Sequence, residues 1–324
     1  MNYIKKDVKF LSIPSGMWPN LAFAFASPGI VNKNGLAKDI VNGFYKNEDF
    51  ELIKILFFFR FATFDQLVKL LKIEDESLFR NRINALISRR VINKFILSDT
   101  HQILSTTYED ALVVYCLDFT GVEILLHKYS KTSLINYDVS MNIQDSALVG
   151  KRLFITEFYV KLLENIKKEH IVSFDPTPEF LINKPTEGGR ATVFKIKPSF
   201  SFGIQKDDGS IKYYTCEVVT AGEIGLPFRE EMKYLDEGLV KTKVWTKDFD
   251  AKNKSTVPTL LVFLAGDEDM INATEIIVNH SSIENFRVST EDRIKDGLDK
   301  SGAFCKNEEG KLKPVKMTSF KKEI

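Results

Sequence analysis

Cysteine and histidine are scarce in this chain of 324 residues. The three cysteines, Cys116, Cys216 and Cys305, are far apart, and the four histidines show no metal-ligand spacing. An odd number of widely separated cysteines is typical of a reducing compartment, so we expect a cytoplasmic protein. The same spacing argues against a zinc site.

Net charge and long apolar runs are nearly absent as well. The chain has 45 Lys and Arg against 44 Asp and Glu, which gives a net charge of +1. That balance argues against a protein that coats polyanions broadly, so any nucleic-acid contact must come from local patches. No run approaches the roughly 20 apolar residues of a membrane helix, so we expect no membrane partner. The short apolar stretch near the N-terminus is interrupted by proline and glycine, unlike a signal peptide.

The length and composition of the chain predict two globular domains of the α+β class, with cores rich in the 26 phenylalanines. Irregular stretches rich in proline, glycine or polar residues separate the patterned regions. The predicted divisions are an irregular N-terminal arm (1–47), a first domain (48–130), a linker (131–149), a second domain (150–300) and a basic C-terminal tail (301–324).

Three short helices are predicted at the start of the first domain, over residues 49–60, 64–71 and 77–90. The first is apolar nearly all round and should lie centrally. Thr63 and Gln66 have the spacing of a capping box, which predicts where the second helix begins. Ser77 is the expected N-cap of the third. Two short helices joined by a tight turn, the second of them basic, are typical of a helix-turn-helix.

The third helix carries the main functional prediction. Its apolar stripe is formed by Phe79, Ile83, Leu86 and Ile87. The opposite face is rich in asparagine, serine and arginine, and no acidic residue occurs between 77 and 98. Amides and hydroxyls suit base-edge contacts, and arginines suit phosphates. The predicted DNA-contacting residues, including two in the strand and turn that follow, are Ser77, Arg80, Asn81, Arg82, Asn84, Ser88, Arg89, Lys94 and His101. The alternative is an ordinary amphipathic helix with a solvated basic face.

A β-rich run at 91–97, a polar turn and a second run at 103–108 predict a wing after this helix. The sequence Phe59-Arg-Phe-Ala-Thr63 and the turn Leu117-Asp-Phe-Thr-Gly121 resemble motifs of the replication-relaxation family of plasmid and mobile-element proteins. The resemblance covers roughly residues 48–265. It implies an N-terminal winged helix-turn-helix followed by an α/β restriction-endonuclease-like (αβββαβ) domain. It also implies double-stranded DNA and replication or transfer proteins as partners, with a homodimer on two half-sites as one arrangement.

The second domain has the same predicted order of helix, three strands, helix and strand. A helix is expected over 151–168, and Asp207-Asp208-Gly209 is a strong hairpin turn. The continuous apolar run at 257–265 predicts a buried strand. A further strand at 275–278 and a helix at 281–295 are expected to follow.

A nuclease of this fold needs two acidic residues and a lysine, which hold Mg²⁺ and activate water. At the equivalent positions this chain has Ser199, Glu217 and Val219, so only one acid is retained. We therefore predict a degenerate nuclease-like domain without catalysis and without a cofactor. The alternative is a divergent Mg²⁺-dependent nuclease in which Glu157 supplies a second carboxylate beside Glu217.

Glu217 also has a structural interpretation, either as a surface acid at the end of a strand or as a buried group paired with Lys195 or Lys197. The chain as a whole is predicted to bind double-stranded DNA in the replication or transfer of a plasmid, phage or conjugative element, or in its regulation. On this prediction, Arg82→Ala should weaken binding to all sequences. A winged helix that binds a protein partner instead of DNA is the other alternative.

Overall fold

The computed structural model describes residues 3–20, 33–99, 109–129, 137–185, 191–241 and 257–317. It is an α+β structure that divides into two compact units. The first unit comprises Met1–Val8 and Ile13–Val160, and the second comprises Lys9–Ser12 and Lys161–Ile324. In the described part of the chain, no helix has both the length and the hydropathy needed to span a membrane.

The helices of the first unit form around a small apolar core. In chain order, its elements are β1 (Trp18–Asn20), α1 (Lys33–Val41), α2 (Asn47–Phe59), α3 (Phe64–Leu71), α4 (Glu76–Ser88), β2 (Ile92–Ser98), β3 (Val113–Leu117), α5 (Phe119–Tyr129), a 3₁₀ turn (Val139–Asn142) and α6 (Ser146–Asn165). The core includes Ile53, Leu56, Leu67 and Leu86, each fully or nearly fully buried. These residues recur at helical spacing on α2, α3 and α4, which is why the three helices pack together.

The predicted capping box at the start of α3 is confirmed. The Gln66 amide donates to the Thr63 hydroxyl at 3.3 Å, and the Thr63 amide donates to the Gln66 side-chain oxygen at 3.0 Å. Two otherwise unpaired amides are thereby satisfied at the point where the helix begins. The Nε2 of Gln66 also donates to Leu153 O at 3.0 Å and to the Glu157 carboxylate at 3.1 Å.

A three-stranded antiparallel sheet, in the order β1-β2-β3, completes the first unit. β1 pairs with the far end of β2, with Trp18 opposite Ser98, and β2 pairs with β3 from Ile92 opposite Leu117. The arm at 1–47 was expected to be irregular apart from a short helix at 36–44; α1 overlaps that helix and begins three residues earlier, whereas β1 was not expected. The predicted turn around His101 and its return run lie outside the described residues, as do residues 21–32.

The second unit is built on a seven-stranded mixed sheet in the order β12-β11-β10-β9-β8-β7-β4. In chain order, its strands and helices are β4 (Ile171–Asp175), β5 (Phe180–Pro185), β6 (Ala191–Ile196), β7 (Phe200–Gln205), β8 (Ile211–Val218), α7 (Leu226–Asp236), β9 (Thr259–Leu264), α8 (Asp269–His280), β10 (Phe286–Thr290), α9 (Glu291–Lys295), β11 (Phe304–Glu308) and β12 (Lys311–Val315). β8, β9 and β10 run parallel, whereas β4, β7 and β8 alternate in direction. β5 and β6 form a separate antiparallel pair.

Phenylalanines fill one part of this unit's core. The rings of Phe200 and Phe263 stack with centroids 5.7 Å apart, and the ring of Phe202 lies 4.7 Å from that of Tyr214. A second apolar cluster packs α7 and α8 on the sheet and includes Met232 and Leu260, both fully buried. The prediction of phenylalanine-rich cores is thus confirmed for this unit. The predicted turn at Asp207–Gly209 and the buried strand at β9 are also confirmed.

Several predicted elements and boundaries differ from the structure. Residues 275–278 belong to α8, and residues 281–295 contain the strand β10 before the short helix α9. The predicted basic tail from 301 is wrong as far as residue 315, because β11 and β12 form an antiparallel hairpin at the sheet edge. α6 begins at Ser146, inside the predicted linker 131–149, and the division between the units falls after Val160.

A short piece of the N-terminal arm belongs to the second unit. The 3₁₀ turn Phe10–Ser12 buries Leu11 completely. The Leu11 amide donates to the Glu291 carboxylate at 3.0 Å, and its carbonyl accepts from the Ala221 amide at 3.1 Å. These bonds satisfy the backbone of a segment that lies among buried residues.

Candidate functional site

α4 is positioned by its cap and by its apolar stripe. The Asp75 carboxylate accepts a hydrogen bond from the Leu78 amide at 2.9 Å, so Asp75 is the N-cap and the prediction for Ser77 is wrong. Asp75 caps the helix because its carboxylate reaches the unpaired Leu78 amide, two residues earlier in the chain than the predicted cap. Phe79, Ile83 and Leu86 are buried, as the helical spacing predicted.

The opposite face of α4 is exposed. Ser77, Arg80, Asn81 and Asn84 point away from the core. The Arg80 guanidinium lies over the ring of Phe64, 3.8 Å from its centroid, which leaves its N–H groups at the surface. At the end of the helix, the exposed Ser88 hydroxyl donates to Ala85 O at 2.8 Å. These residues form a polar surface, hereafter the α4 face, comprising Ser77, Arg80, Asn81, Asn84 and Ser88.

Arg82 is not part of that surface. Its Nε donates to Asp49 Oδ1 at 2.8 Å, and its Nη2 donates to the other Asp49 oxygen and to Phe44 O. Asp49 is only 2% exposed and also accepts from the Lys46 amide at 2.7 Å, where α2 begins. The hydrogen bond to Asp49 raises the pKa of Arg82 further. Arg82 therefore serves to hold α4 against α2.

Arg89 and Arg90, which directly follow α4, also pair with acidic residues. Arg89 ion-pairs with Asp39 of α1 at 2.7 Å and stacks on the Phe44 ring at 3.5 Å. Arg90 pairs with the buried Asp118 at 3.2 Å. The basic excess seen along this stretch of sequence is thus largely compensated by acids from distant elements.

Two of the predicted cations remain without such compensation. Within the part of the chain that the structure describes, Arg80 and Lys94 have no ion-pair partner. Lys94 is half-buried on β2, where it pairs across the sheet with Tyr115 of β3. His101 lies outside the described residues, so its predicted role is neither supported nor opposed. The surface that remains available for DNA is smaller than the predicted one, and it consists mainly of hydroxyl and amide groups around Arg80.

Ser199 and Glu217, the two positions compared with the acids of a nuclease, lie together in the second unit. The Ser199 hydroxyl donates to Glu217 Oε1 at 2.7 Å, and the Ser199 amide donates to Glu217 Oε2 at 3.3 Å. The same hydroxyl accepts from the Val218 amide at 3.0 Å. Ser199 stands just before β7, and Glu217 is near the end of β8, with which β7 pairs. The strand pairing therefore brings together the two positions that the family resemblance equates with the acids of a nuclease.

The residues around Ser199 and Glu217 do not fit a catalytic metal ion. Glu217 is buried and supplies the one carboxylate, whereas Ser199 offers a hydroxyl, and Val219 is packed in the apolar cluster beside Met232. Among the described residues, no group of three or more His, Cys, Asp or Glu side chains is arranged to hold a metal ion. Mg²⁺ prefers several oxygen ligands, and this place offers too few.

The other residues weighed for this chemistry have different partners. Glu157 belongs to the first unit, where its carboxylate accepts from Gln66 Nε2 and supports the capping box of α3. Lys195 and Lys197 both pair with Glu179, at 2.7 and 2.9 Å, so the suggested pairing of either lysine with Glu217 is wrong. Both lysines and Glu179 are close along β5 and β6, which explains this choice.

Comparisons of this chain with protein-family models, with curated proteins and with solved structures find no match in any of the three.

Proposed function

We propose that the chain binds double-stranded DNA, with the α4 face as its recognition surface. The single observation that carries this proposal is the exposure of Asn81, Asn84 and Arg80 together on the second helix of a helix-turn-helix. Asparagine can bond the edge of an adenine in the major groove, and an arginine at the margin of the same face can hold a phosphate.

The arrangement around α4 supports a winged helix. α3 and α4 are separated by a turn of four residues, 72–75, and the antiparallel strands β2 and β3 follow α4 in the chain. A recognition helix in such a domain is held by the core on one side and presents its other side to the groove. The ion pairs that arginines form with Asp39, Asp49 and Asp118 hold α4 in place. The side chains left to contact base edges are therefore the uncharged ones of α4.

The order of elements in the second unit supports a degenerate nuclease-like domain as part of the proposal. The last residues of α6, 161–165, belong to this unit and lead into the antiparallel strands β4, β7 and β8, and α7 then connects β8 to the parallel strand β9. This order, with β5 and β6 inserted, is consistent with the αβββαβ order that the resemblance implies, and it supports the proposal. The proposed role is therefore to hold DNA without cutting it, in the replication or transfer of a mobile element, or in its regulation. The assignment to a mobile element rests on the family resemblance alone.

A protein-interaction module is the second candidate, and the charge compensation favours it. With Arg82, Arg89 and Arg90 matched to acids, the first unit attracts a polyanion less than its sequence suggests. Binding to a duplex across a series of salt concentrations separates the two candidates. DNA binding gives an affinity that falls steeply with salt, because phosphate contacts release counterions. A protein-interaction module gives no salt-dependent retention of duplex.

A further inference from the structure

A second cationic feature lies in the second unit, at the start of β8. The half-buried Lys212 extends its ammonium over the ring of Tyr214, 5.2 Å from the ring centroid. The Tyr214 ring is fully buried, so it forms a rigid floor beneath the charge. Lys212 pairs with Ile204 of β7, so a rigid part of the sheet holds its backbone.

Arg287 of β10 shares a hydrogen-bond acceptor with the hydroxyl of the same tyrosine. The hydroxyl of Tyr214 donates to Met317 O at 3.3 Å, and Nη1 of Arg287 donates to the same carbonyl oxygen at 2.5 Å. Nη1 also donates to Lys316 O. These acceptors are neutral carbonyls, so they orient the guanidinium without compensating its charge. The two cations are thus both fixed around one tyrosine.

Among the described residues, neither Lys212 nor Arg287 has an acidic ion-pair partner. Burial, followed by the positive charges of Arg287 and Lys206, lowers the pKa of Lys212 to about 8. Asp208, in the exposed turn that precedes β8, has a pKa lowered mainly by its hydrogen bonds to Ser210 and to a smaller extent by Lys206. Two like charges held together at partly buried positions destabilise a fold unless an anion lies between them.

We propose that Lys212 and Arg287 form a binding site for a phosphate group. Nε and Nη2 of Arg287 face no described partner and match two phosphate oxygens, while Lys212 supplies a point charge. The site lies at the start of β8, whereas Ser199 and Glu217 meet near its other end. It does not depend on the α4 face, so the proposal stands or falls separately from DNA recognition by the first unit. Free phosphate compounds and the DNA backbone share the chemistry that it recognises.

The test is calorimetric titration of the full-length chain with inorganic phosphate at pH 7. We expect saturable binding by the wild type and a loss of at least about tenfold in affinity in Lys212→Met, which keeps the apolar stem over Tyr214. Lys212→Arg should retain binding, because the positive charge is kept. Lys233→Met is the matched control, since Lys233 is an exposed lysine of α7 paired with Glu230, and its affinity should equal that of the wild type.

Absence of phosphate binding by the wild type would overturn the proposal, and so would equal affinities for the wild type and Lys212→Met. A variant Arg287→Lys, which keeps the charge but loses the planar fork, provides a second check and should bind several-fold more weakly. Competition then distinguishes the two sources of phosphate. Displacement of inorganic phosphate by a duplex in the wild type identifies the backbone of DNA, and retention of phosphate beside bound duplex identifies a small phosphate compound.

Discussion

Arg82 of α4 donates to both carboxylate oxygens of Asp49, a buried residue in the first turn of α2. From sequence alone, Arg82 was expected to hold the DNA backbone. The bidentate contact instead makes it part of the framework that carries the recognition helix.

Arg82→Ala should therefore destabilise the first unit. Removing the guanidinium leaves Asp49 buried without its charged partner, and breaking such a pair costs about 3 kcal/mol. We expect a drop of that order in the free energy of unfolding, measured by urea denaturation. Arg80→Ala is the matched control: its side chain is exposed on the same helix, and loss of its contact with the Phe64 ring should cost no more than about 1 kcal/mol. Equal stability of the Arg82 variant and the wild type would contradict this assignment.

Arg80→Ala should act on binding instead of stability. Arg80 is the arginine of the α4 face with no described acidic partner, so we expect it to contact a phosphate. Its removal should weaken binding to all duplex sequences and lower the slope of log K against log salt by about 1. Fluorescence anisotropy over a range of salt concentrations measures both. Arg229→Ala, an exposed arginine of α7, is the control and should leave the slope unchanged; an unchanged slope in the Arg80 variant would remove Arg80 from the interface.

Ser199 and Glu217 are predicted to stabilise the second unit and not to cut DNA. Ser199→Ala removes the hydroxyl that bonds both the Glu217 carboxylate and the Val218 amide, and should cost about 1–2 kcal/mol in the free energy of unfolding. In a cleavage assay with Mg²⁺ or Mn²⁺, the wild type should leave duplex intact. Metal-dependent cutting that Glu217→Gln abolishes would instead establish the nuclease alternative.

The lowered pKa of Lys212 predicts that the stability of the protein depends on pH. Its pKa is about 8 in the folded protein, because of burial and of the charges on Arg287 and Lys206, and about 10.4 in an unfolded chain. Between these values the unfolded state binds more protons, so this residue's contribution to the unfolding free energy rises with pH. For these two pKa values the penalty is about 3 kcal/mol at pH 7, and Lys212→Met, which removes it, should be more stable than the wild type by up to that amount.

That advantage should shrink as pH rises from about 8 to about 10.4, because the wild-type lysine then loses its proton in the folded state. Urea denaturation of both proteins at a series of pH values measures it. Lys233→Met should show no such trend. An advantage that stays constant over this pH range would mean that Lys212 acts only through packing.

The parts of the fold that could be predicted depend on local chemistry. The bounds of α3 follow from the Thr63–Gln66 capping box, the turn at Asp207–Gly209 follows from glycine's freedom at positive φ, and β9 follows from its unbroken apolar run. The 281–295 region was mistaken for one helix because short apolar runs fit either period. The β11–β12 hairpin resembled a tail because edge strands carry lysines and Pro314, which protect an open edge from further pairing.

The candidate site could be predicted only in part. The apolar stripe of α4 and the adjacency of Ser199 and Glu217 follow from helical spacing and from strand order. The partners of Arg82, Arg89 and Arg90 come from residues that are 33, 50 and 28 positions away, which no local pattern reveals. The signal that was available is Asp49, the first residue of the apolar helix that was predicted over 49–60 to lie centrally.

The most direct test of the central claim is the selection of bound sequences from a random duplex pool by the wild-type protein and by Asn84→Ala. If the α4 face reads DNA, the wild type will enrich a defined sequence, and Asn84→Ala will relax the preference at one position by about 1–3 kcal/mol. The control Asn272→Ala, an exposed asparagine of α8, will enrich the wild-type sequence. Failure of the wild type to retain or enrich any duplex would contradict DNA binding, and an unchanged preference in Asn84→Ala would contradict recognition by the α4 face.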